Sequence, residues 1–227
     1  MIKKRKLLLA ISLVEMMVAL LLASFLITGV TMIYFFAARS TRQGFEKGEA
    51  HQCLDKSMNY LLKDLRTAGS GVNENTCNIK KEDSIASATD NSIILYGDFL
   101  SDIPGIETVR YLPESNGCLA RTVFKQSGTG AGSTWTEVVQ EEVLIGTRPS
   151  GKNKSNIRLQ ESPPGFFLTY MNDMQTPYPS GTLGLEEDAR KQVRRVDIRI
   201  TITGLDGRKL VSSMNTTGRL RNLETSE

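Results

Sequence analysis

Glu15 is a lone carboxylate at the N-terminal edge of a long apolar run. The 23 residues from Met16 to Ala38 carry no charge. As a helix they span about 34 Å, which is enough to cross a hydrocarbon core of ~30 Å. A carboxylate at the edge of such a segment costs a few kcal/mol unless it has a partner. The nearest cations, Lys3 to Lys6, are more than two helical turns away, so we expect Glu15 to find its partner elsewhere.

Three interpretations of this N-terminal segment are open. A secretory signal peptide would have a shorter apolar stretch and a small-residue cleavage site after it. A plain anchor has the right length but leaves Glu15 unexplained. A cut between Ala10 and Ile11 would remove the cations and create an α-amino group four residues before Glu15. The amine and the carboxylate could then pair, which would offset the burial of both charges.

Other residues that could do chemistry have simpler interpretations. The stretch Gly128–Thr134 is glycine-rich but lacks the lysine of a phosphate-binding loop, so we expect a hairpin tip. The acidic cluster Glu186–Asp188 lacks the alternating ligands of a calcium loop, and we expect a solvated turn. His51 is the only histidine and has no cysteine or carboxylate at metal-binding spacing. Trp135 is expected to pack on the sheet. No nucleophile–base pair stands out, so we expect no enzyme, no metal and no cofactor.

The charge distribution separates the N-terminus from the rest of the chain. The sequence has 28 Lys and Arg against 25 Asp and Glu. Four of the cations lie within the first ten residues, which leaves 24 against 25 beyond them. A nearly neutral body argues against nucleic-acid binding. The basic N-terminus instead predicts that this end stays in the cytoplasm and that the remainder crosses the membrane.

The three cysteines are too few for a disulfide scaffold and lack metal spacing. In a periplasmic body we expect one disulfide and one remaining thiol. We favour Cys77–Cys118, because both lie beside loop residues whereas Cys53 falls within a helical pattern. In the chain-entropy account, such a link would stabilise the fold by roughly 4 kcal/mol. Three free thiols remain the alternative.

The remaining pattern predicts one long helix followed by strands. Apolar residues recur at helical spacing up to Gly69, which we expect to end the helix; they are Leu54, Met58, Leu61, Leu62, Leu65 and Ala68. Gly44 and Gly48 weaken this helix, so a bend or a melted turn there is open. Strands are predicted at residues 92–96, 107–112, 119–124, 137–145, 165–171, 196–203 and 209–215. The fold class is therefore α+β, with a long N-terminal helix packed on an antiparallel β-sheet head.

The N-terminal segment resembles the class III leader of type IV pilins and type II secretion pseudopilins. The resemblance lies in Lys-Lys-Arg-Lys followed by the stretch Ala10–Glu15 and the apolar run, although the family usually has Gly-Phe where this chain has Ala10-Ile11. In that family a prepilin peptidase cuts before the apolar run and methylates the new N-terminus. The resemblance thus implies cleavage between Ala10 and Ile11, methylation of Ile11 and a role for Glu15 in docking the subunit into a filament.

The end of the predicted helix resembles particular members of this family. The Asp-Leu-Arg-x-Ala-Gly pattern from Asp64 to Gly69 is similar to that of PilW-type minor pilins and J-type minor pseudopilins. This implies a pilin-like fold with a leader at 1–10, a transmembrane and filament-core helix at 11–38, an amphipathic half at 39–69 and a periplasmic head at 70–227.

The implied function is that of a structural subunit in the initiation or tip complex of a type IV pilus. Its implied partners are the prepilin peptidase, other minor and major pilins, inner-membrane lipid before assembly and the pilus assembly platform. Two alternatives remain open. The chain could be a minor pseudopilin of a type II secretion system, or an uncleaved, membrane-anchored periplasmic binding or enzymatic domain.

Overall fold

The computed structural model describes residues 13–72, 83–100, 106–127, 134–146, 157–178, 184–204 and 212–220. They form an α+β fold, as the sequence predicts. The elements in chain order are α1 (Leu13–Thr67), β1 (Ile85–Ala88), β2 (Ile93–Gly97), β3 (Glu107–Pro113), β4 (Leu119–Ser127), β5 (Thr134–Ile145), β6 (Ile157–Leu159), β7 (Phe166–Met171), β8 (Pro177–Tyr178), α2 (Glu187–Gln192), β9 (Arg195–Gly204) and β10 (Ser212–Arg219).

The chain divides into two compact units, and the boundary falls within α1, between Phe45 and Glu46. The first unit contains the apolar part of α1. The second contains the remainder of α1 and all the strands, and we call this second unit the head. The helix assignment continues through Gly44 and Gly48, so there is no melted turn at these glycines. A Cβ atom at either glycine would have no neighbour within 4 Å.

The part of α1 that lies in the head buries one face. Of the six apolar residues that define its predicted stripe, all except the half-buried Leu62 are fully buried. The helix ends as predicted, because Gly69 adopts a left-handed conformation with φ of 78°. The Gly69 amide then donates to the Tyr96 carbonyl oxygen at 2.8 Å, which joins the helix end to β2.

The strands that the structure describes form two antiparallel sheets of five strands each. The first, sheet A, has the order β1-β2-β3-β4-β5, in which every neighbour in space is also a neighbour in sequence. The second, sheet B, has the order β10-β9-β7-β8, and β6 also pairs with β9. Strand β9 is the centre of sheet B. Its inward side chains Val196, Ile198, Ile200 and Ile202 are buried, which confirms its predicted period of two.

One core joins α1 and both sheets. The largest buried side chains come from all three, and include Leu61 of α1, Tyr111 of β3 and Tyr170 of β7. The Tyr170 hydroxyl donates to the Thr89 carbonyl oxygen at 2.8 Å, and this bond links sheet B to the β1–β2 turn. Within the head, the C-terminal part of α1 and both sheets therefore share a single hydrophobic core.

Some local predictions differ from the structure. Strands β1, β6 and β8 were not predicted, because they have only four, three and two residues. The acidic cluster begins the helix α2 instead of a solvated turn. In α2 the acidic residues Glu187 and Asp188 occupy the first turn and the basic residues Arg190 and Lys191 the last, an order that suits the helix dipole. The predicted β4–β5 hairpin is present, and residues 128–133 of its tip lie outside the described residues.

Candidate functional site

The first unit presents an apolar helical surface. Large hydrophobic side chains on all sides of α1 are exposed, among them Leu13, Leu20, Phe25, Ile33 and Phe36. This helix is long and apolar enough to cross a membrane, and none of its most apolar stretch is buried within the protein. These properties are consistent with a single-pass membrane anchor.

Three polar side chains of this apolar stretch are satisfied within the helix. The hydroxyls of Ser24, Thr28 and Thr31 each donate to a backbone carbonyl oxygen three or four residues earlier, at 2.7 to 2.8 Å. Hydroxyls bonded in this way need no water, so they are compatible with a surface in contact with lipid or with other apolar helices.

Glu15 lies in the first turn of α1, with its side chain exposed. A carboxylate in this turn is favoured by the helix dipole. Ala10 and Ile11, where cleavage is expected, lie outside the described residues. The proximity of Glu15 to a new N-terminus therefore stays a prediction.

A buried ion pair joins α1 to sheet A in the head. Asp64 of α1 accepts hydrogen bonds from Arg121 of β4, with Nε to Oδ2 at 2.7 Å and Nη2 to Oδ1 at 3.1 Å. The Tyr111 hydroxyl of β3 donates to the same Oδ2 at 2.6 Å. The two charged side chains are only 2% and 4% exposed. Charged pairs as deeply buried as this require good geometry, which the two-point contact provides.

Two further contacts between α1 and sheet A lie one and two helical turns closer to the N-terminus of α1. Tyr60 lies one turn before Asp64, and the Arg121 guanidinium stacks over its ring at 5.3 Å. Lys56 lies one turn earlier still, and its Nζ is 2.7 Å from Glu142 Oε1 of β5. We call these six residues (Lys56, Tyr60, Asp64, Tyr111, Arg121 and Glu142) the helix clamp.

Sheet register explains why the clamp forms. Tyr111, Arg121 and Glu142 are direct cross-strand partners on β3, β4 and β5, so their side chains form one row across sheet A. The helical members are spaced by four residues and therefore form a second row along one face of α1. The two rows meet with opposite charges facing each other, which sets both the rotation and the axial position of this helical segment on the sheet.

The electrostatics of the clamp follow from its burial. Burial alone would lower the pKa of Arg121, but the hydrogen bonds and the charge of Asp64 outweigh it and raise that pKa above its ordinary value. Burial and the Asp64 charge together raise the pKa of Tyr111 well above its ordinary value. Arg121 therefore stays cationic and Tyr111 stays a neutral donor at any physiological pH.

The structure gives a physical role to most residues of the Asp-Leu-Arg-x-Ala-Gly pattern. Asp64 is the buried carboxylate, and Leu65 is fully buried in the core. Ala68 is also fully buried and forms a bridge to Gly97 of β2, where the backbones come too close for a larger residue. Gly69 supplies the left-handed residue that turns the chain into the sheet. Arg66 is exposed on the helix.

The remaining candidate residues that the structure describes do not come together. Cys118 is buried beside Gly146, and Cys77 lies outside the described residues, so their pairing stays a prediction. His51 is exposed on α1, and Cys53 is a half-buried free thiol on the same helix. Within the described part of the chain, no three His, Cys, Asp or Glu side chains are grouped so that they could hold a metal ion.

Sequence reasoning missed the strand members of the clamp. One signal was available for Arg121, since it alternates with the buried residues Leu119 and Val123 and so occupies a core-facing position. A charge at such a position requires a buried counter-ion. The partner could not be identified, because Asp64 is 57 residues away in the sequence.

Comparison with known proteins adds no assignment: no protein-family model matches the sequence, and no curated protein matches it significantly.

Proposed function

We propose that this chain is a minor pilin, a structural subunit that takes part in the initiation or tip complex of a type IV pilus. In this proposal a prepilin peptidase removes residues 1–10 and methylates Ile11. The helix anchors the subunit in the inner membrane, with the head in the periplasm, until the assembly platform transfers the subunit to the filament. Other minor and major pilins are its neighbours there.

The observation that carries the proposal is the contrast along the single helix α1. From Leu13 to Phe36 its large apolar side chains are exposed, whereas Leu54, Leu61 and Leu65 are fully buried in the head. A signal peptide would be removed from the mature protein. A plain membrane anchor would not need to continue into the hydrophobic core of the domain that it tethers. A stem that must carry its head from the lipid into a filament requires this continuity.

The helix clamp supports the same proposal. A subunit in a filament is pulled through its helix, so the head must not slide or rotate on that helix. The two-point Asp64–Arg121 contact, backed by the Lys56–Glu142 pair, opposes both movements. Asp64, the first residue of the stretch that resembles PilW-type minor pilins, is a member of this clamp.

Glu15 has a specific role in the proposed mechanism. Cleavage exposes the Ile11 amine, and the Glu15 carboxylate of a neighbouring subunit neutralises it as both leave the lipid. In an apolar environment this pairing offsets the desolvation of both charges. It also disfavours the return of an assembled subunit to the membrane, because the pairing between subunits would then be lost.

The first test is the intact mass of the protein isolated from the membranes of its own cells. The proposal expects a chain that begins at Ile11 and carries one additional methyl group. A chain that begins at Met1 would contradict the proposal and favour the uncleaved anchored domain.

The second test is filament assembly in Glu15→Ala and Glu15→Gln variants. Both are expected to insert into the membrane normally but to enter filaments much less than the unmodified chain. Asp55→Ala is the matched control, since it removes an exposed carboxylate from the same helix. Normal incorporation of the Glu15 variants would contradict the docking role.

A deletion strain separates the two filament machines. Loss of surface pili with normal export of extracellular enzymes is the result that the proposal expects. Loss of enzyme export with normal pili would instead assign the chain to a type II secretion system.

A further inference from the structure

The helix α1 exposes one more large apolar side chain after the charge-free run Met16–Ala38 has ended. Phe45 lies seven residues beyond Ala38 and is 75% exposed. Beyond Phe36, no other large apolar side chain of α1 is exposed. Single exposed apolar residues are common on protein surfaces, so the position of Phe45 relative to the run decides whether it has a role.

Phe45 extends one side of the apolar surface of α1. Ile27 lies eighteen residues before it, which is five helical turns, and Tyr34 lies eleven residues before it, which is close to three turns. These three exposed residues therefore share one side of the helix. Gln43 occupies the opposite side, because two residues turn the helix by about 200°. On that side, the last large apolar residue is Phe36.

The height of Phe45 along the helix axis suits the headgroup layer of a bilayer. The seven residues from Ala38 to Phe45 rise by about 10 Å, and the headgroup layer is about 5–8 Å thick on each side of the hydrocarbon core. Helical side chains lean towards the N-terminus of their helix, so the Phe45 ring lies nearer to the charge-free run than its own Cα does. A phenylalanine at this height is favourable at the boundary between headgroups and acyl chains.

The length of the charge-free run favours a tilted helix. Its span of about 34 Å exceeds the ~30 Å hydrocarbon core, and a helix that is longer than the core tilts to fit. Tilting towards the side of Phe45 brings this side chain closer to the core and moves Gln43 away from it. An apolar side chain on one side of the helix therefore selects the direction of the tilt.

Arg39 supplies a cation at the same boundary. It is exposed, and it carries the first charge after the run. An arginine at this height can lay its methylene groups along the apolar surface and place its guanidinium at the lipid phosphates. The planar guanidinium donates two parallel hydrogen bonds to one phosphate group. Arg42 lies one turn further on and already interacts within the protein, so Arg39 is the cation assigned to the lipid.

We propose that Arg39 and Phe45 bind the headgroup layer on the far side of the membrane that α1 spans. Arg39 binds the phosphate of an anionic phospholipid, and the Phe45 ring lies where the headgroups meet the acyl chains. Together they hold α1 at one depth and tilt it towards the side of Phe45. The occupant is lipid and not a second protein, because both residues continue a surface that already requires an apolar environment.

This interaction rests on the membrane anchorage in the proposed function, and it does not require assembly into a filament. Both residues belong to the first unit. Neither Glu15 nor the helix clamp takes part.

The depth of Phe45 is measured by lipid quenching of a tryptophan at its position. The full chain has one tryptophan, Trp135, so Phe45→Trp is combined with Trp135→Phe. The chain is reconstituted into vesicles of equal parts phosphatidylglycerol and phosphatidylcholine, both brominated near the headgroups. Gln43→Trp in the same background is the matched control, because this exposed residue is closer to the run but lies on the opposite side of α1. Circular dichroism checks that both variants fold.

We expect bromine to quench the Phe45→Trp variant more strongly than the Gln43→Trp variant, by a factor of about two or more. Equal quenching, or stronger quenching of Gln43→Trp, would overturn the proposal, because depth would then follow the position along the axis alone. Quenching of Phe45→Trp that falls as the protein-to-lipid ratio rises, without a change in Gln43→Trp, would assign Phe45 to a contact between copies of the chain and overturn lipid binding.

Arg39 is tested by the choice between two lipids. In the same vesicles, bromine is placed either on phosphatidylglycerol alone or on phosphatidylcholine alone. We expect the Phe45→Trp variant to prefer phosphatidylglycerol about fivefold, which corresponds to ~1 kcal/mol for one cation at an anionic surface. Adding Arg39→Gln should remove most of this preference, whereas Lys63→Gln, which removes an exposed cation from the head part of α1, should leave it unchanged. A preference that survives Arg39→Gln would overturn the role of Arg39.

Extraction of the vesicles with alkaline carbonate distinguishes the headgroup interaction from the anchorage. Release of the chain would overturn both the anchorage and the headgroup interaction. A chain that stays in the vesicles but shows neither the difference between positions 43 and 45 nor the lipid preference would overturn the headgroup interaction alone.

Discussion

Asp64 on α1 and Arg121 on β4 form a two-point ion pair that is almost fully removed from solvent. The pair joins a helix to an interior strand of sheet A across 57 residues of sequence. Its two hydrogen bonds are parallel, so they restrict rotation as well as separation. Through this pair, the first residue of a short sequence pattern at the end of α1 connects the helix to the sheet.

Loss of the buried carboxylate should destabilise the head strongly. In Asp64→Asn the Arg121 charge stays buried without a counter-ion, and we expect a loss of about 3–5 kcal/mol in the free energy of unfolding. The measurement is urea unfolding of the full chain in micelles. Lys56→Ala is the control, and it should cost less than about 1 kcal/mol because Lys56 is 49% exposed. Equal losses would contradict the importance of the buried pair.

Two glycines should respond to alanine in opposite directions. A Cβ at Gly165 would lie 2.4 Å from both Gln160 N and Thr201 O, which are backbone atoms that cannot easily move. We expect Gly165→Ala to lower the free energy of unfolding by more than about 2 kcal/mol. Gly48→Ala meets nothing within 4 Å and should raise it by up to about 1 kcal/mol, because alanine favours helix. Thermal unfolding followed by circular dichroism compares the two, and a stabilised Gly165→Ala would contradict the close approach.

The buried Glu107 should make the head less stable as the pH rises. Its Oε2 accepts hydrogen bonds from the Phe99 and Leu100 amides, yet burial outweighs them and raises its pKa. Folding therefore favours the protonated form of Glu107. Its contribution to the free energy of unfolding is fully present below the ordinary pKa of glutamate, and it is lost as the pH rises through the raised pKa of Glu107.

Glu107→Gln should remove this dependence. Glutamine keeps an acceptor for the two amides without a buried charge. Between pH 4 and pH 8, the free energy of unfolding of the variant should therefore rise by on the order of 1 kcal/mol relative to that of the unmodified chain. Unfolding free energies at the two pH values measure the gain. Glu161→Gln, at an exposed position, is expected to show none. A pH dependence unchanged by Glu107→Gln would contradict this role.

The disulfide prediction can be settled by counting thiols. If Cys77 and Cys118 pair, one of the three cysteines, Cys53, reacts with a thiol reagent in denaturant without a reductant. In the folded chain this reaction should be slow at neutral pH. Burial and, to a smaller extent, the charge of Glu49 raise the pKa of the Cys53 thiol. Three reactive thiols in denaturant would show that the pairing is absent.

Several features of the fold could be predicted because they repeat over short distances. The charge-free run from Met16 to Ala38, the buried stripe of α1 and the alternation in β9 each depend on the spacing of neighbouring residues. Gly69 likewise marks the end of the helix through its own backbone freedom. The α+β class and the apolar helix follow from such local patterns.

The helix clamp depends on which strands become neighbours. Arg121 meets Asp64 only because β4 lies inside sheet A, between β3 and β5. The division of the strands into two sheets is equally invisible in the spacing of residues. The sequence by itself determined the periodic elements, since their signals are local. The tertiary structure decided the buried ion pair and the pairing of the strands, because each needs backbone segments that are distant in sequence to pack together.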